Sequence, residues 1–154
     1  PKSAHDVDFC VMLEDVQDPG NLGSILRSTA AAGVEHVFLS AHCAFPWSPK
    51  VIRAGMGAHF LLSIHEGADL SRIALSFKGK VVATSLTAKQ SIYQTDLRGP
   101  VALVFGNEGA GLSEALLEAA TTQVSIPMPG KMESLNAAAA AAICLFERVR
   151  QTNK

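Results

Sequence analysis

The sequence predicts an α/β domain: a mostly parallel sheet with helices on both faces. Three observations carry that prediction. Short apolar runs alternate along the chain with segments whose apolar residues recur at helical spacing. One run, Val101-Ala102-Leu103-Val104-Phe105, has no polar residue, as expected of a strand covered on both sides. The chain has 154 residues, 48% of them hydrophobic, which is enough for one buried core and too few for two.

The elements follow in order. Phe9 to Leu13 reads as a strand, and Glu14-Asp15-Val16-Gln17-Asp18-Pro19-Gly20 as a turn-rich connection. Asn21 is the expected cap of a helix that buries Leu22, Ile25, Leu26, Thr29 and Ala30, with Gly33 as its stop. Val37 to Leu39 is the next strand. Ser48-Pro49, a cap followed by a first-turn proline, opens a short helix through Arg53 that ends near Gly55 and Gly57. Leu61 to Ile64 reads as a strand, Leu70 to Phe77 as a helix and Val81 to Thr84 as a strand. A polar stretch, Ser85 to Gly99, leads to the Val101 strand. A helix from about Ser113 to Ala119 and a short strand, Val124 to Ile126, come next. Pro127-Met128-Pro129-Gly130-Lys131-Met132-Glu133 is a rigid loop, because its two prolines fit neither a helix interior nor a central ladder. Ser134 is the expected cap of a last helix to about Arg150, roughly 25 Å long.

Composition narrows the function classes. No apolar run approaches the roughly 18 residues of a membrane span, and the segment Pro1-Lys2-Ser3-Ala4-His5-Asp6 lacks a signal peptide's apolar core. The reading is a soluble, cytoplasmic protein. Cys10, Cys43 and Cys144 have neither metal-ligand spacing nor a disulfide pattern and read as reduced thiols. The histidines, His5, His36, His42, His59 and His65, show no metal pairing, so no metal site is expected. A formal net charge of -1 gives no global attraction to nucleic acid, so such binding needs a local basic patch or a further part of the protein.

Three segments share one property: Asn21 to Arg27, Gly106 to Leu112, and Ile126 to Asn136 are each rich in Asn, Ser and Gly and each follow an apolar strand closely. Turn and cap chemistry explains any one of them alone. Three together point to a site at the carboxyl edge of the sheet, where ligands of open α/β folds bind. Arg27 is either a solvated arginine on an amphipathic helix or a planar fork for phosphate oxygens. Asn21, at the helix start, can face the same cleft. Glu108 is either an exposed loop charge or an acceptor for a ligand hydroxyl or amine, and Ser134 and Asn136 can be a cap and its neighbour. The glycine order Gly106-x-x-Gly109-x-Gly111 reverses the dinucleotide fingerprint and falls late in the chain, which excludes that reading. No Lys-Ser/Thr pair follows the glycines, which argues against an ATPase.

In order, these segments resemble the three motifs of the SpoU family of RNA 2'-O-ribose methyltransferases, part of the SPOUT class. Motif one is similar to Asp18-Pro19-Gly20-Asn21-Leu22-Gly23-Ser24-Ile25-Leu26-Arg27-Ser28. Motif two is similar to Val104-Phe105-Gly106-Asn107-Glu108-Gly109-Ala110-Gly111-Leu112. Motif three resembles Ile126-Pro127-Met128-Pro129-Gly130 with Ser134-Leu135-Asn136, where Pro129 departs from many members. Arg53-Ala54-Gly55-Met56-Gly57-Ala58-His59-Phe60 resembles members acting on ribosomal RNA.

The resemblance implies a SPOUT fold whose C-terminal portion is threaded into a deep trefoil knot, which general topology rules would not predict. It implies S-adenosyl-L-methionine as cofactor, a homodimer that completes the site, and RNA as substrate, ribosomal rather than transfer RNA. Gly106, Ile126 and Leu135 are then the cofactor contacts, with Asn107, Met128 and the Ser85-Leu86 turn nearby. Asn21, Arg27, Glu108, Ser134 and Asn136 form the catalytic group. A guanidinium with a pKa above about 12 is ill suited to act as a base, so Arg27 is expected to clamp an RNA phosphate and stabilise a developing alkoxide. Lys50, Arg53 and Lys131 are further candidate RNA contacts beside Arg27. Residues 1–154 are read as a catalytic domain, either a fragment without the N-terminal RNA-binding domain of many members or a minimal member. A transfer RNA substrate, methylation of a base nitrogen and a non-enzymatic RNA-binding or assembly factor stand as alternatives. Retention of all five catalytic-group residues argues against the last.

Overall fold

Side chains along a strand alternate between its two faces, and every residue of the first strand is buried, so the sheet must carry a core on each side. The computed structural model of the chain describes residues 7–132 and 134–153. In order, these form β1 (Phe9–Leu13), α1 (Pro19–Ala31), β2 (His36–Leu39), α2 (Pro49–Gly55), β3 (Ser63–His65) and α3 (Leu70–Ser76). There follow β4 (Lys80–Thr84), β5 (Val101–Phe105), α4 (Glu114–Ala119), β6 (Thr122–Val124) and α5 (Ala137–Thr152). Phe9, Val11 and Leu13 enter one core with Leu22, Ile25 and Leu26 of α1 and Leu145 of α5. Cys10 and Met12 enter the other, against Leu70 and Ala74 of α3 and Leu116 of α4. Among the described residues no helix is long and apolar enough to cross a membrane.

The six strands run in the order β3-β2-β1-β5-β4-β6, and every pairing is parallel. The mostly parallel sheet flanked by helices is therefore as expected. The order reverses between β1 and β5, whose last residues, Leu13 and Phe105, are paired. Such a reversal opens a crevice at the carboxyl ends of the strands. Because all strands are parallel, the ends of β1, β4, β5 and β6 open on the same edge.

Among the boundaries that differ from the sequence expectation, four have an identifiable hydrogen-bonded cause. Asp18, not Asn21, caps α1: its carboxylate accepts the Asn21 N–H at 2.8 Å, and Pro19 is pre-set for the first turn. Asn136, not Ser134, caps α5, its Oδ1 accepting the N–H groups of Ala138 and Ala139 at 2.9 and 3.2 Å. Leu61 and Leu62 stay out of β3 because their N–H groups both turn back onto the Ala58 carbonyl, at 2.9 and 3.2 Å, at the end of a 3-10 turn over Ala58–Phe60. β6 stops at Val124 because the Ser125 N–H leaves the sheet for the Gln90 carbonyl at 2.9 Å.

The polar stretch after β4 is not a free loop. It buries Ile92 and Leu97 and lies as a strap over α5, where the Leu97 N–H donates to Gln151 Oε1 at 2.8 Å and Gln151 Nε2 donates to the Thr95 carbonyl at 2.9 Å.

Candidate active site

The loop after β5 closes on itself. Asn107 and Gly111 exchange backbone hydrogen bonds at 3.1 and 3.0 Å, which draws the two arms of the loop together. A Cβ on Gly106 would stand 2.6 Å from the Gly111 carbonyl oxygen and 2.7 Å from the Leu112 nitrogen, so only glycine lets the loop shut. Asn107 holds the tip, its Oδ1 accepting the Gly109 and Ala110 N–H groups at 2.9 Å each.

The same loop is laced to the residues that follow β1. Asn107 Nδ2 donates to the Asp15 carbonyl at 2.8 Å, and the Gln17 N–H donates to Glu108 Oε1 at 3.0 Å. Glu14 accepts from the N–H and the hydroxyl of Ser113 at 2.6 and 2.8 Å. Asp15 sits between them at φ 53, a left-handed conformation held by Ser40, whose hydroxyl accepts the Asp15 N–H and donates to its carboxylate, both at 2.8 Å. Glu14 and Gln17 are not singled out by sequence reasoning. The signal that finds them is position: they are among the first residues past the carboxyl end of a central strand.

This loop forms one wall of a cleft of about 350 Å³, with Ser85 and Leu86 after β4 and Ile126, Met128 and Leu135 after β6 lining other sides. Gly106, Asn107, Ser85, Leu86, Ile126, Met128 and Leu135, the seven expected cofactor contacts, thus line a single cavity, and Glu108 and Ser134 line it too. Asn21, Arg27 and Asn136 do not. Asn136 Nδ2 donates to Asn21 Oδ1 at 3.0 Å and so ties the start of α5 to the start of α1. Arg27 is exposed on α1 and has no ion pair among the described residues. Lys50 and Arg53 are exposed on α2, and Lys131 on the loop after β6. No cluster of metal-ligating side chains occurs among the described residues; His5, Asp6 and Glu133 lie outside them.

The cavity suits S-adenosylmethionine by size and chemistry. Its volume is in the range of small-molecule sites, which are mainly apolar with a few convergent polar groups. Ile126, Met128 and Leu135 offer apolar surface to an adenine and a thioether-like chain. Glu108 sets a carboxylate at the rim, and its Oε2 has no hydrogen bond among the described residues, which suits a cationic ligand.

Residues 8–146 match the model of the SpoU rRNA Methylase family. The chain belongs to this family. An uncharacterized tRNA/rRNA methyltransferase of Synechocystis is 42% identical over 144 residues, covering 92% of this chain and 53% of that protein. The 23S rRNA (guanosine-2'-O-)-methyltransferase RlmB of Shewanella oneidensis is 38% identical over 95% of this chain and 61% of its own length. Among solved structures, an AdoMet-bound rRNA methyltransferase from Sinorhizobium meliloti superposes with a TM-score of 0.90 at 35% identity, over 99% of this chain and 62% of that one. The chain thus spans a little over half the length of these curated relatives. Membership accounts for the α/β fold, and the knot expected of the chain is a property of the family's fold.

Proposed function

We propose that the chain is the catalytic domain of a cytoplasmic RNA methyltransferase that transfers a methyl group from S-adenosylmethionine to a ribose 2'-hydroxyl of ribosomal RNA. The observation that carries this reading is the convergence of the loops after β4, β5 and β6 on one apolar cleft bearing Glu108 and Ser134. Relatives that cover nearly all of this chain act, by name, on ribosomal RNA. When bound, the cofactor supplies an electrophilic methyl group. The chain's own residues must then orient the hydroxyl in line and give its proton a way out. Gly106, Ile126 and Leu135 hold the cofactor, while Glu108 and Ser134 order its charged end and the incoming hydroxyl. Asn21 and Asn136, bonded to each other, fix the helix starts that carry motifs one and three.

Arg27 lies outside the cleft of its own chain, which favours a homodimer in which each Arg27 serves the partner's cleft. There it clamps a phosphate and stabilises the developing alkoxide. Mapping 2'-O-methyl groups on total RNA from cells with and without the gene tests the proposal. Loss of a ribosomal position is expected. An unchanged map overturns the enzymatic reading in favour of an RNA-binding or assembly factor. The Synechocystis relative's name spans both RNA classes, so a loss confined to transfer RNA would reassign the substrate.

A further inference from the structure

The stretch from His36 to His65 contains no aspartate or glutamate, although the chain has 14 of them. It holds Lys50 and Arg53, both exposed, and it displays apolar side chains that a core would normally take. Phe45 is 60% exposed, Trp47 44%, Met56 69% and Phe60 93%. Three of the five exposed aromatic residues among the described ones lie here.

Local contacts hold the display in place. Ser48 caps α2 by accepting the Val51 N–H, and Pro49 stiffens the first turn. His59 is buried, and its Nε2–H donates to the Pro46 carbonyl at 2.7 Å, pinning the residue between Phe45 and Trp47. The Trp47 ring packs tilted on the His59 ring, with centroids 5.1 Å apart. α2 itself is locked to α1 where Gly23 meets Ala54 and the Val51 carbonyl. Arg27 follows Gly23 by one helical turn, on the same stripe of α1.

We propose that this face is a stacking platform for unpaired nucleotides of the RNA substrate, with Trp47 and Phe45 taking bases and Lys50 and Arg53 taking the flanking phosphates. This rests on the methyltransferase reading for its substrate class. Exposed aromatic rings beside cations, with carboxylates excluded, suit a chain that offers a π-face and a phosphate at each step. A duplex keeps its bases stacked on one another and cannot use the rings. Because α2 packs on α1, the helix that carries Arg27, a strand held on this face would run along the element proposed to reach the reacting ribose.

Trp47 is the chain's one tryptophan, so its emission reports this face directly. The probes are a single-stranded RNA of about ten nucleotides and a duplex of the same sequence. Saturable quenching by the single strand and not by the duplex is expected. By anisotropy of the labelled strand, Trp47→Ala should weaken binding about tenfold, whereas Trp47→Phe should stay within about threefold. Joint Lys50→Ala and Arg53→Ala should flatten the salt dependence.

The platform is overturned if the single strand does not bind, if it binds without quenching, or if strand and duplex quench alike. It is also overturned if Trp47 emission tracks protein dilution without RNA and Trp47→Ala breaks a dimer in sedimentation, for then a second copy covers the face. Methyl transfer assayed on the same proteins separates the two proposals. Quenching without any transfer leaves the platform standing and sinks the proposed reaction. Transfer with an unchanged KM for RNA in Trp47→Ala does the reverse.

Discussion

At Gly106 one hydrogen atom decides whether the site closes. Gly106→Ala would force a methyl group onto the Gly111 and Leu112 backbone, and overpacking of that kind costs about 1–3 kcal/mol. Calorimetry should find the thermal midpoint lowered and cofactor affinity lost together, because the displaced arm is a wall of the cleft. Arg27 behaves oppositely, since it is exposed and outside the cavity. Arg27→Lys should leave cofactor affinity unchanged by titration calorimetry and lower turnover at least about tenfold, because an ammonium cannot present a planar fork. Full turnover in that variant would remove the bidentate clamp from the mechanism. The sequence offers Arg27 as either a solvated or a functional arginine, and both descriptions hold at once: it is solvated in one chain and is proposed to act in a pair. That could not be read from one chain's amphipathic pattern.

Among the elements, those bounded by strong stop and start chemistry were legible and those bounded by tertiary pairing were not. Ser48-Pro49 and Ser113 open their helices where expected, because cap and proline act within one turn. The end of β6 depends on Gln90, a residue of the strap, and no local pattern announces it. α1 and α5 begin at Asp18 and Asn136 because side chains within reach of the N–H groups compete, and the competition is settled by what else each can bond. Asn136 serves as cap and as donor to Asn21 at once. On α5, Glu147 is buried and receives Arg150 Nε and Nη2 at 2.8 Å each and Gln151 Nε2 at 2.8 Å. The hydrogen-bonded guanidinium, and then the Gln151 amide, hold its carboxyl below the ordinary value of 4.5. A depressed carboxylate stabilises the fold above its unfolded pKa and loses that contribution as pH falls through the folded one. Glu147→Gln should cost about 1 kcal/mol at neutral pH, because the Arg150 partner is largely in water and screened. The gap between variant and parent midpoints should close as the pH drops below 4.5.

Over the whole molecule, the two-faced core was readable because a strand apolar at every position has only one stable setting, between layers. The free thiols follow from it: burial pushes Cys10 and Cys144 up to about 12, and burial also raises Cys43, whose side chain is only partly buried and so remains reachable from solvent. With a maleimide at about pH 8, Cys43 should label first, and Cys10 and Cys144 only at the rate of global unfolding. What the sequence could not show is that the cleft is held together by bonds between residues far apart along the chain. The bonds Gln17–Glu108, Glu14–Ser113 and Asn21–Asn136 join residues 91, 99 and 115 positions apart. On a polypeptide leaving the ribosome N-terminus first, β1 and the start of α1 must wait for most of the remaining chain before they meet their partners. Contacts of such long sequence separation form slowly. The binding cleft is thus among the last features to mature during synthesis, and truncated or stalled products carry the first motif without the cavity it helps to frame.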